Sequence, residues 1–165
     1  MTNMIMIGFM GAGKTTISHK VGRLLACDSF DLDQLLAKEL GESIETIFET
    51  KGETYFREQE YRLLKRYQHQ PGIISTGGGI VTYEPSLALL KKCEHVVYLE
   101  ASFETLYNRL LSDDTQHRPL LKGQPKQKVE ELFVIRQAMY REAATHTIVT
   151  DQLTVADIAN YLIEL

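Results

Sequence analysis

A glycine-rich loop near the amino end constrains the fold of this chain more than any other feature. Residues 8–16 read GFMGAGKTT and match the pattern G-x-x-x-x-G-K-[ST]. The loop follows an apolar run at residues 3–7 and precedes a segment in which Ile17, Val21 and Leu24 recur with helical spacing. Strand, loop and helix together predict an α/β fold that binds the phosphates of a nucleoside triphosphate together with magnesium.

The residue types of this loop suit phosphate binding. Glycine lets successive backbone N–H groups turn toward phosphate oxygens, and the N-terminus of the following helix adds a partial positive charge. We expect Lys14 to reach the β- and γ-phosphates and the Thr15 hydroxyl to ligate Mg²⁺. The predicted nucleotide-binding residues of the loop are Gly11, Ala12, Gly13, Lys14, Thr15 and Thr16.

Short apolar runs alternate with helical patterns along the rest of the chain. This alternation is typical of a parallel sheet flanked by helices on both faces. The five predicted strands cover residues 3–7, 28–32, 73–75, 95–99 and 147–149. Ser43, Ser102 and Thr154 stand where N-caps of helices are expected, and Gly41 stands where a helix should end. We therefore predict a single α/β domain over residues 1–165 with a five-stranded parallel sheet.

Composition narrows the class of protein. The 165 residues carry a net charge of −4, which disfavours a nucleic-acid surface. No apolar run approaches the ~20 residues that span a bilayer. Cys27 and Cys93 are too few for a disulfide framework and have no metal-ligand spacing. We expect a cytoplasmic monomer with neither a nucleic-acid nor a membrane partner.

Two carboxylates follow the second predicted strand. Alternation in an extended segment sends Asp31 and Asp33 to the same side, where one could order water on Mg²⁺ and the other could accept a proton from an acceptor hydroxyl. An acidic start of a helix, with Asp33 as its N-cap, explains the pair equally well.

Three glycines end the third predicted strand. Gly77, Gly78 and Gly79 carry a high conformational entropy cost unless the backbone must approach another group closely. Ligands of open α/β sheets bind beyond the carboxyl ends of the strands. The segment therefore favours close approach to a substrate over a plain flexible turn.

Several arginines are candidates for anion binding. Arg57 lies in the first turn of a predicted helix, where the helix dipole disfavours a cation and a bound anionic acceptor would compensate. Arg118 lies in a polar segment without apolar periodicity, which is typical of a mobile lid. Arg136 lies in a long helix predicted over residues 125–144. Each of these arginines has an ordinary solvated surface role as its alternative.

Taken in order, these motifs resemble those of the shikimate kinases. The segments that carry the resemblance are residues 8–16, 30–33 (FDLD), 52–60, 75–79 (STGGG) and 118–121 (RPLL). The resemblance implies a nucleoside-monophosphate-kinase-like P-loop fold with strand order 2-3-1-4-5. It also implies transfer of the γ-phosphoryl group of ATP to the 3-hydroxyl of shikimate, with Mg²⁺, on the route to chorismate and the aromatic amino acids.

The resemblance also implies roles for individual residues. It places Thr15 and Asp31 at the metal, and Arg109 against adenine. Arg118 would bind ATP phosphates and act with Lys14 in catalysis, within a lid around residues 112–124. The residues implied to bind shikimate are Asp33, Arg57, Gly78, Gly79 and Arg136, with residues 33–61 as a substrate-binding segment. After the last strand, where many relatives place a basic residue near adenine, this chain has Asp151 and Gln152.

Two other functions stay open at this point. One is a kinase of a different small acceptor, such as gluconate or a nucleoside monophosphate, although the acid-and-arginine cluster favours a compact anion. The other is an ATP-binding regulatory module without catalysis. Asp33 and Arg118 argue against the second, because binding alone requires neither residue.

Overall fold

The computed structural model describes residues 3–112 and 123–165. Its five β-strands are β1 (Asn3–Ile7), β2 (Ser29–Asp31), β3 (Gly72–Ser75), β4 (Val96–Glu100) and β5 (His146–Val149). Its α-helices are α1 (Lys14–Leu25), α2 (Leu32–Leu40), α3 (Ile44–Tyr67), α4 (Glu84–Leu90), α5 (Phe103–Ser112), α6 (Lys126–Ala143) and α7 (Val155–Ile163). A 3-10 helix, Ile80–Thr82, follows β3.

All five strands are parallel and lie in the order β2-β3-β1-β4-β5. This confirms the predicted fold class, the strand count and the order that the family resemblance implied. Because β1 is central and β3 lies beside it, the glycine-rich loop after β1 and the triglycine after β3 emerge at the same edge of the sheet. In the β2–β3 pair Asp31 is opposite Ser75, so the acidic segment reaches that edge as well.

The core explains why the central strands read as continuous apolar runs. β1 and β4 are buried on both faces, with Met6, Ile7, Val96 and Val97 inaccessible to solvent, as expected for a parallel sheet covered by helices. Helices α1 and α7 pack against each other, and α2 packs against α3. Among the described helices none has both the length and the apolar character that crossing a membrane requires.

Most predicted helix ends agree with the structure. Gly41 ends α2 in the left-handed conformation at φ 68°, Ser43 Oγ accepts from Thr46 N at 3.1 Å, and Thr154 opens α7 with a capping box. The two helices predicted on either side of Gly52 are both present within α3: they meet at a kink, where the backbone of Gly52 is not helical, with φ 84° and ψ 170°. The 3-10 helix after the triglycine was not predicted, because three residues are too few for a periodic pattern to appear.

Candidate active site

The glycine-rich loop encloses a cavity of about 280 Å³ at the carboxyl edge of the sheet. Gly11 and Gly13 have φ of 81° and 87°, a conformation that side chains disfavour, and α1 starts directly after Gly13. The N-terminus of α1 therefore faces the cavity. The lining residues are Met10, Gly11, Gly13, Lys14, Thr15, Thr16, Asp31, Asp33, Thr76, Gly77, Gly78, Arg109 and Leu110. Ala12 is buried instead, and its N–H donates to the Phe9 carbonyl at 3.2 Å.

Lys14 lies folded against its own loop. Its Nζ donates to the carbonyl oxygens of Gly8 at 2.8 Å and Phe9 at 3.1 Å. The side chain is nearly buried and still lines the cavity. A polyanion entering the cavity therefore meets an ammonium group that is already positioned there.

Thr15 and Asp31 lie side by side on the cavity wall. Thr15 Oγ1 donates to Asp31 Oδ2 at 2.6 Å, and Ser75 Oγ lies 3.3 Å from Thr15 Oγ1. The other oxygen of Asp31, Oδ1, accepts from Gln34 N at 3.0 Å and caps α2. Two hydroxyls and one carboxylate oxygen form a set of hard oxygen donors, of the kind that Mg²⁺ prefers.

Asp31 and Asp33 have different roles in the fold. The sequence offered Asp33 as the N-cap of α2, but Asp31 is the cap and Asp33 lies in the first helical turn. Both carboxylates line the cavity because the chain turns from strand to helix at Asp31, and not because of strand alternation. Asp31 therefore caps α2 as well as lining the cavity, whereas Asp33 lines the cavity without capping the helix.

Asp33 has an unusual environment for a carboxylate. Its Oδ1 is shielded from solvent and has no hydrogen-bond partner among the described residues. Burial raises the pKa of Asp33 to about 7, with further increases from the neighbouring charges of Glu60 and Asp31, while Lys14 and Arg57 act in the opposite direction. A carboxyl that titrates near neutral pH is suited to accept a proton.

Arg57 is buried, with 5% of its surface exposed. Its guanidinium donates to Glu60 Oε2 at 2.8 Å and to Glu53 Oε1 at 3.3 Å. From its place in a first helical turn this cation is expected to be compensated by a bound anion, but the carboxylates of Glu60 and Glu53, three residues after it and four before it, already compensate it. Arg57 is therefore held in place before any ligand arrives.

The triglycine makes room for these charged groups. The Arg57 guanidinium occupies the space in which a Cβ of Gly79 would lie. A Cβ on Gly77 would lie 2.5 Å from Glu60 Oε1 and 2.9 Å from Asp33 Oδ1. The groups that the structure places against this backbone are thus the protein's own carboxylates and guanidinium, and the predicted close approach to a substrate stays a prediction.

Arg136, on α6, is 2% exposed and contacts the Phe9 ring, 5.9 Å from its centroid. Among residues 3–112 and 123–165 no carboxylate lies within ion-pair distance of it, and its Nε has no hydrogen-bond partner. Burial lowers the pKa of this guanidinium, with Arg57 contributing to the decrease and Tyr140 opposing it. Arg136 is thus a buried cation to which the described residues offer no carboxylate partner.

The remaining predicted residues divide into two groups. Arg109 lines the cavity, and its Nη1 donates to the Gly11 carbonyl at 3.2 Å. Asp151, which follows β5, accepts from Ser102 N at 3.0 Å and from Thr105 Oγ1 at 2.9 Å, so it caps the start of α5. Arg118 and most of the predicted lid lie outside the described residues.

Glu60 and Ser75 are site residues for which no role is predicted from the sequence. Glu60 is 1% exposed, and its spacing of three residues from Arg57 was a usable signal on a helix. Ser75 reaches the metal-type oxygen cluster only through the pairing of β2 with β3, which no local pattern reveals. Both residues belong to the same contiguous site as the predicted ones.

Comparisons with known proteins agree on one family. A family model described as shikimate kinase matches residues 10–165. Shikimate kinase of Enterococcus faecalis is 39% identical over 164 residues, which cover 99% of this chain and 98% of that protein. Shikimate kinase of Sulfurihydrogenibium sp. is 41% identical over 144 residues, which cover 87% of this chain and 85% of that protein.

Solved structures give the same result. Shikimate kinase from Acinetobacter baumannii in complex with shikimate has a TM-score of 0.91 and 35% identity, covering 99% of this chain and 92% of that chain. A deoxyadenosine kinase from M. mycoides, at 18% identity and a TM-score of 0.65 with 99% of this chain and 98% of that chain covered, is similar in fold alone. With a family model over nearly its full length and relatives near 40% identity, the chain belongs to the shikimate kinase family.

Proposed function

We propose that this chain transfers the γ-phosphoryl group of ATP to the 3-hydroxyl of shikimate, giving ADP and shikimate 3-phosphate. The observation that carries the proposal is one juxtaposition. Asp33, a carboxyl whose pKa is raised to about 7, lines the cavity of the phosphate-binding loop and is close enough to Lys14 and Arg57 for both charges to act on it, and Arg57 in turn lies near a second buried guanidinium, that of Arg136. Phosphoryl transfer needs this kind of positioning and electrostatic stabilisation more than covalent chemistry by the protein.

The loop binds the triphosphate. Its N–H groups and the N-terminus of α1 face the cavity, and Lys14 exchanges its carbonyl partners for the β- and γ-phosphates. Arg109 contacts the nucleotide from the α5 side, and the family resemblance puts adenine next to it. Arg118 neutralises charge on the transferred group, within a lid around residues 112–124.

Thr15 Oγ1 and Asp31 Oδ2 are the groups that would hold Mg²⁺, directly or through water. The arrangement fits, because a hydroxyl next to a single available carboxylate oxygen suits a cation that keeps several waters and shares phosphate oxygens. When bound, Mg²⁺ neutralises charge on the phosphates. In the described part of the chain no group of three or more His, Cys, Asp or Glu side chains forms a metal cage, so phosphate and water would supply most of its ligands.

Shikimate is a carboxylate, and the two buried guanidiniums match it. Arg57 and Arg136 bind the carboxylate in a charge-assisted pair of contacts, and Arg136 thereby gains an anionic partner that residues 3–112 and 123–165 do not provide. The backbone of Gly78 and Gly79 lies against the bound ring. Asp33 accepts a hydrogen bond from the 3-hydroxyl.

In the transfer step the acceptor oxygen forms a bond to the γ-phosphorus while the bond from that phosphorus to the β,γ-bridging oxygen breaks. ADP leaves with the bridging oxygen, and the hydroxyl proton passes to Asp33. Because the pKa of Asp33 is raised to about 7, the group can hold this proton near neutral pH and release it afterwards.

We propose further that residues 1–165 act as one kinase domain, with residues 33–61 as its acceptor-binding segment. We also propose that the chain acts as a monomer. Two free thiols, Cys27 and Cys93, accord with a reducing cytoplasm.

The test is ADP release from ATP and Mg²⁺ in the presence of shikimate, quinate, gluconate or a nucleoside monophosphate. We expect turnover with shikimate and little above background with the others. Turnover with gluconate or a nucleotide alone would identify a kinase of another acceptor. ATP binding without ADP release for any acceptor would identify a regulatory module.

A further inference from the structure

The carbonyl groups of the triglycine segment all face the protein. The Gly77 oxygen accepts from Ile80 N at 3.3 Å. The Gly79 oxygen accepts from Thr82 N at 3.0 Å and from Thr82 Oγ1 at 2.7 Å. The 3-10 helix thus binds the two outer carbonyls of the segment.

The middle carbonyl has a different partner. The hydroxyl of Tyr140, 62 positions away in the sequence, donates to the Gly78 oxygen. This is a contact between α6 and the segment itself. It leaves each of the three carbonyls with a donor from the protein.

The N–H groups of the segment are not used in this way. Within the part of the chain that the structure describes, none of the three glycine N–H groups forms a hydrogen bond with protein. A trans peptide is planar, so the N–H of Gly79 points opposite to the carbonyl of Gly78. With that carbonyl turned toward Tyr140, the Gly79 N–H points away from α6.

The Tyr140 side chain is well suited to hold the peptide. It is completely buried, and its ring packs on Tyr98 with centroids 5.1 Å apart. It lies one helical turn after Arg136 on α6, so the two side chains share a face. Burial raises the pKa of Tyr140 by more than the charge of Arg136 lowers it. The phenol is therefore protonated at neutral pH and can donate a hydrogen bond.

We propose that Tyr140 is a positioning residue for the acceptor: its hydroxyl fixes the Gly78–Gly79 peptide, so that the Gly79 N–H and the Arg136 guanidinium are oriented together toward the acceptor's carboxylate. This deepens the proposed function and rests on it. Tyr140 acts through the peptide that it orients and through its neighbour Arg136. The class of ligand it serves is a small organic carboxylate.

The test compares Tyr140→Phe with a matched control, Tyr98→Phe. Both variants keep the contact between the two rings and lose one hydroxyl, but the Tyr98 hydroxyl interacts with Gln137 instead of the triglycine. We expect Tyr140→Phe to raise KM for shikimate roughly five- to thirtyfold and to leave KM for ATP within about twofold. Tyr98→Phe should change neither KM by more than about twofold. Urea unfolding of both variants separates loss of stability from loss of positioning.

A second readout does not depend on turnover. In the ligand-free protein, the ¹H–¹⁵N resonance of Gly79 should move or broaden in Tyr140→Phe and stay in place in Tyr98→Phe. An unchanged Gly79 resonance, or equal increases in KM for both substrates, would overturn the positioning role. Absence of shikimate turnover in the unmodified protein would instead refute the proposed function, and the Gly79 resonance would still decide whether Tyr140 fixes the peptide.

Discussion

Replacing Arg136 by methionine should stabilise the ligand-free protein while weakening acceptor binding. The guanidinium is 2% exposed, and no described carboxylate pairs with it. Replacing buried ionic groups by well-packed apolar side chains of similar volume is often neutral or stabilising, by about 1–4 kcal/mol where it stabilises, and we expect stabilisation here because the substitution leaves no described carboxylate without its partner. At the lower end, about 1 kcal/mol raises the thermal midpoint by roughly 2–4 °C for a chain of this size.

The same substitution should impair the site. Loss of a charge-assisted contact to a carboxylate costs about 1.5–3 kcal/mol, which corresponds to a roughly 10- to 150-fold increase in Kd for shikimate. Thermal unfolding with and without shikimate, together with calorimetric titration of shikimate and of ATP, measures both effects. ATP affinity should stay within about twofold.

Arg57→Met is the matched contrast. It removes a guanidinium of similar burial, but it leaves Glu60 buried without its partner at 2.8 Å, so it should destabilise the protein by about 3–5 kcal/mol. A lower thermal midpoint for Arg136→Met, or shifts of the same sign in the two variants, would refute the claim that Arg136 is uncompensated before the acceptor binds.

Three further predictions concern other parts of the site. Lys14→Ala should lower kcat by at least about a hundredfold, because it removes a preorganised cation from the phosphates, with the far-UV circular dichroism unchanged; near-normal turnover would contradict the phosphate-binding role. Activity at limiting acceptor should rise as pH increases through about 7, because Asp33 must lose its proton to act as a base. Asp33→Asn should abolish that rise, and a variant that kept it would assign the titration to another group. Asp151→Ala should cost about 1 kcal/mol in urea unfolding through loss of the α5 cap. Burial raises the pKa of Asp151, but hydrogen bonds from Ser102 and Thr105 outweigh burial and bring the pKa below its ordinary value. The stabilisation is therefore present above the unfolded-state pKa and is lost as pH falls through the folded-state pKa. Equal stability of Asp151→Ala and the unmodified protein at neutral pH would contradict the capping role.

The fold was predictable because its signals are local. The residue types of the loop after β1, the apolar runs and the caps at Ser43 and Thr154 each act over a few residues. Local rules therefore placed most helices and strands correctly, and the alternation of strands with helices indicated a parallel sheet.

The sequence did not predict which of the two aspartates, Asp31 or Asp33, caps α2. The three residues of β2 end at Asp31, and a strand one or two residues longer would have made Asp33 the cap. A shift of that size lies within the uncertainty of any boundary drawn from sequence. The pair was identified from its spacing, but only the structure separates the cap from the buried carboxyl.

Contacts between segments that are distant in the sequence were not predictable either. Nothing near Tyr140 in the sequence indicates that it binds the Gly78 carbonyl, and nothing near Arg57 indicates that its guanidinium occupies the space beside Gly79. The spacing of Arg57 and Glu60 was visible, but an exposed helix carries the same spacing. Whether such a pair is buried depends on the whole fold.

The contact of Lys14 with the carbonyls of Gly8 and Phe9 has a consequence for the kinetics of nucleotide capture. The ammonium group ties the two ends of the loop together before any nucleotide is present, so the loop loses its conformational freedom when the protein folds rather than when ATP arrives. An arriving triphosphate has to displace the hydrogen bonds that Lys14 donates to these two carbonyls, but it does not have to order a flexible loop. Association should therefore be limited mainly by diffusion and charge attraction, and differences in affinity among nucleotides should appear chiefly in their dissociation rates.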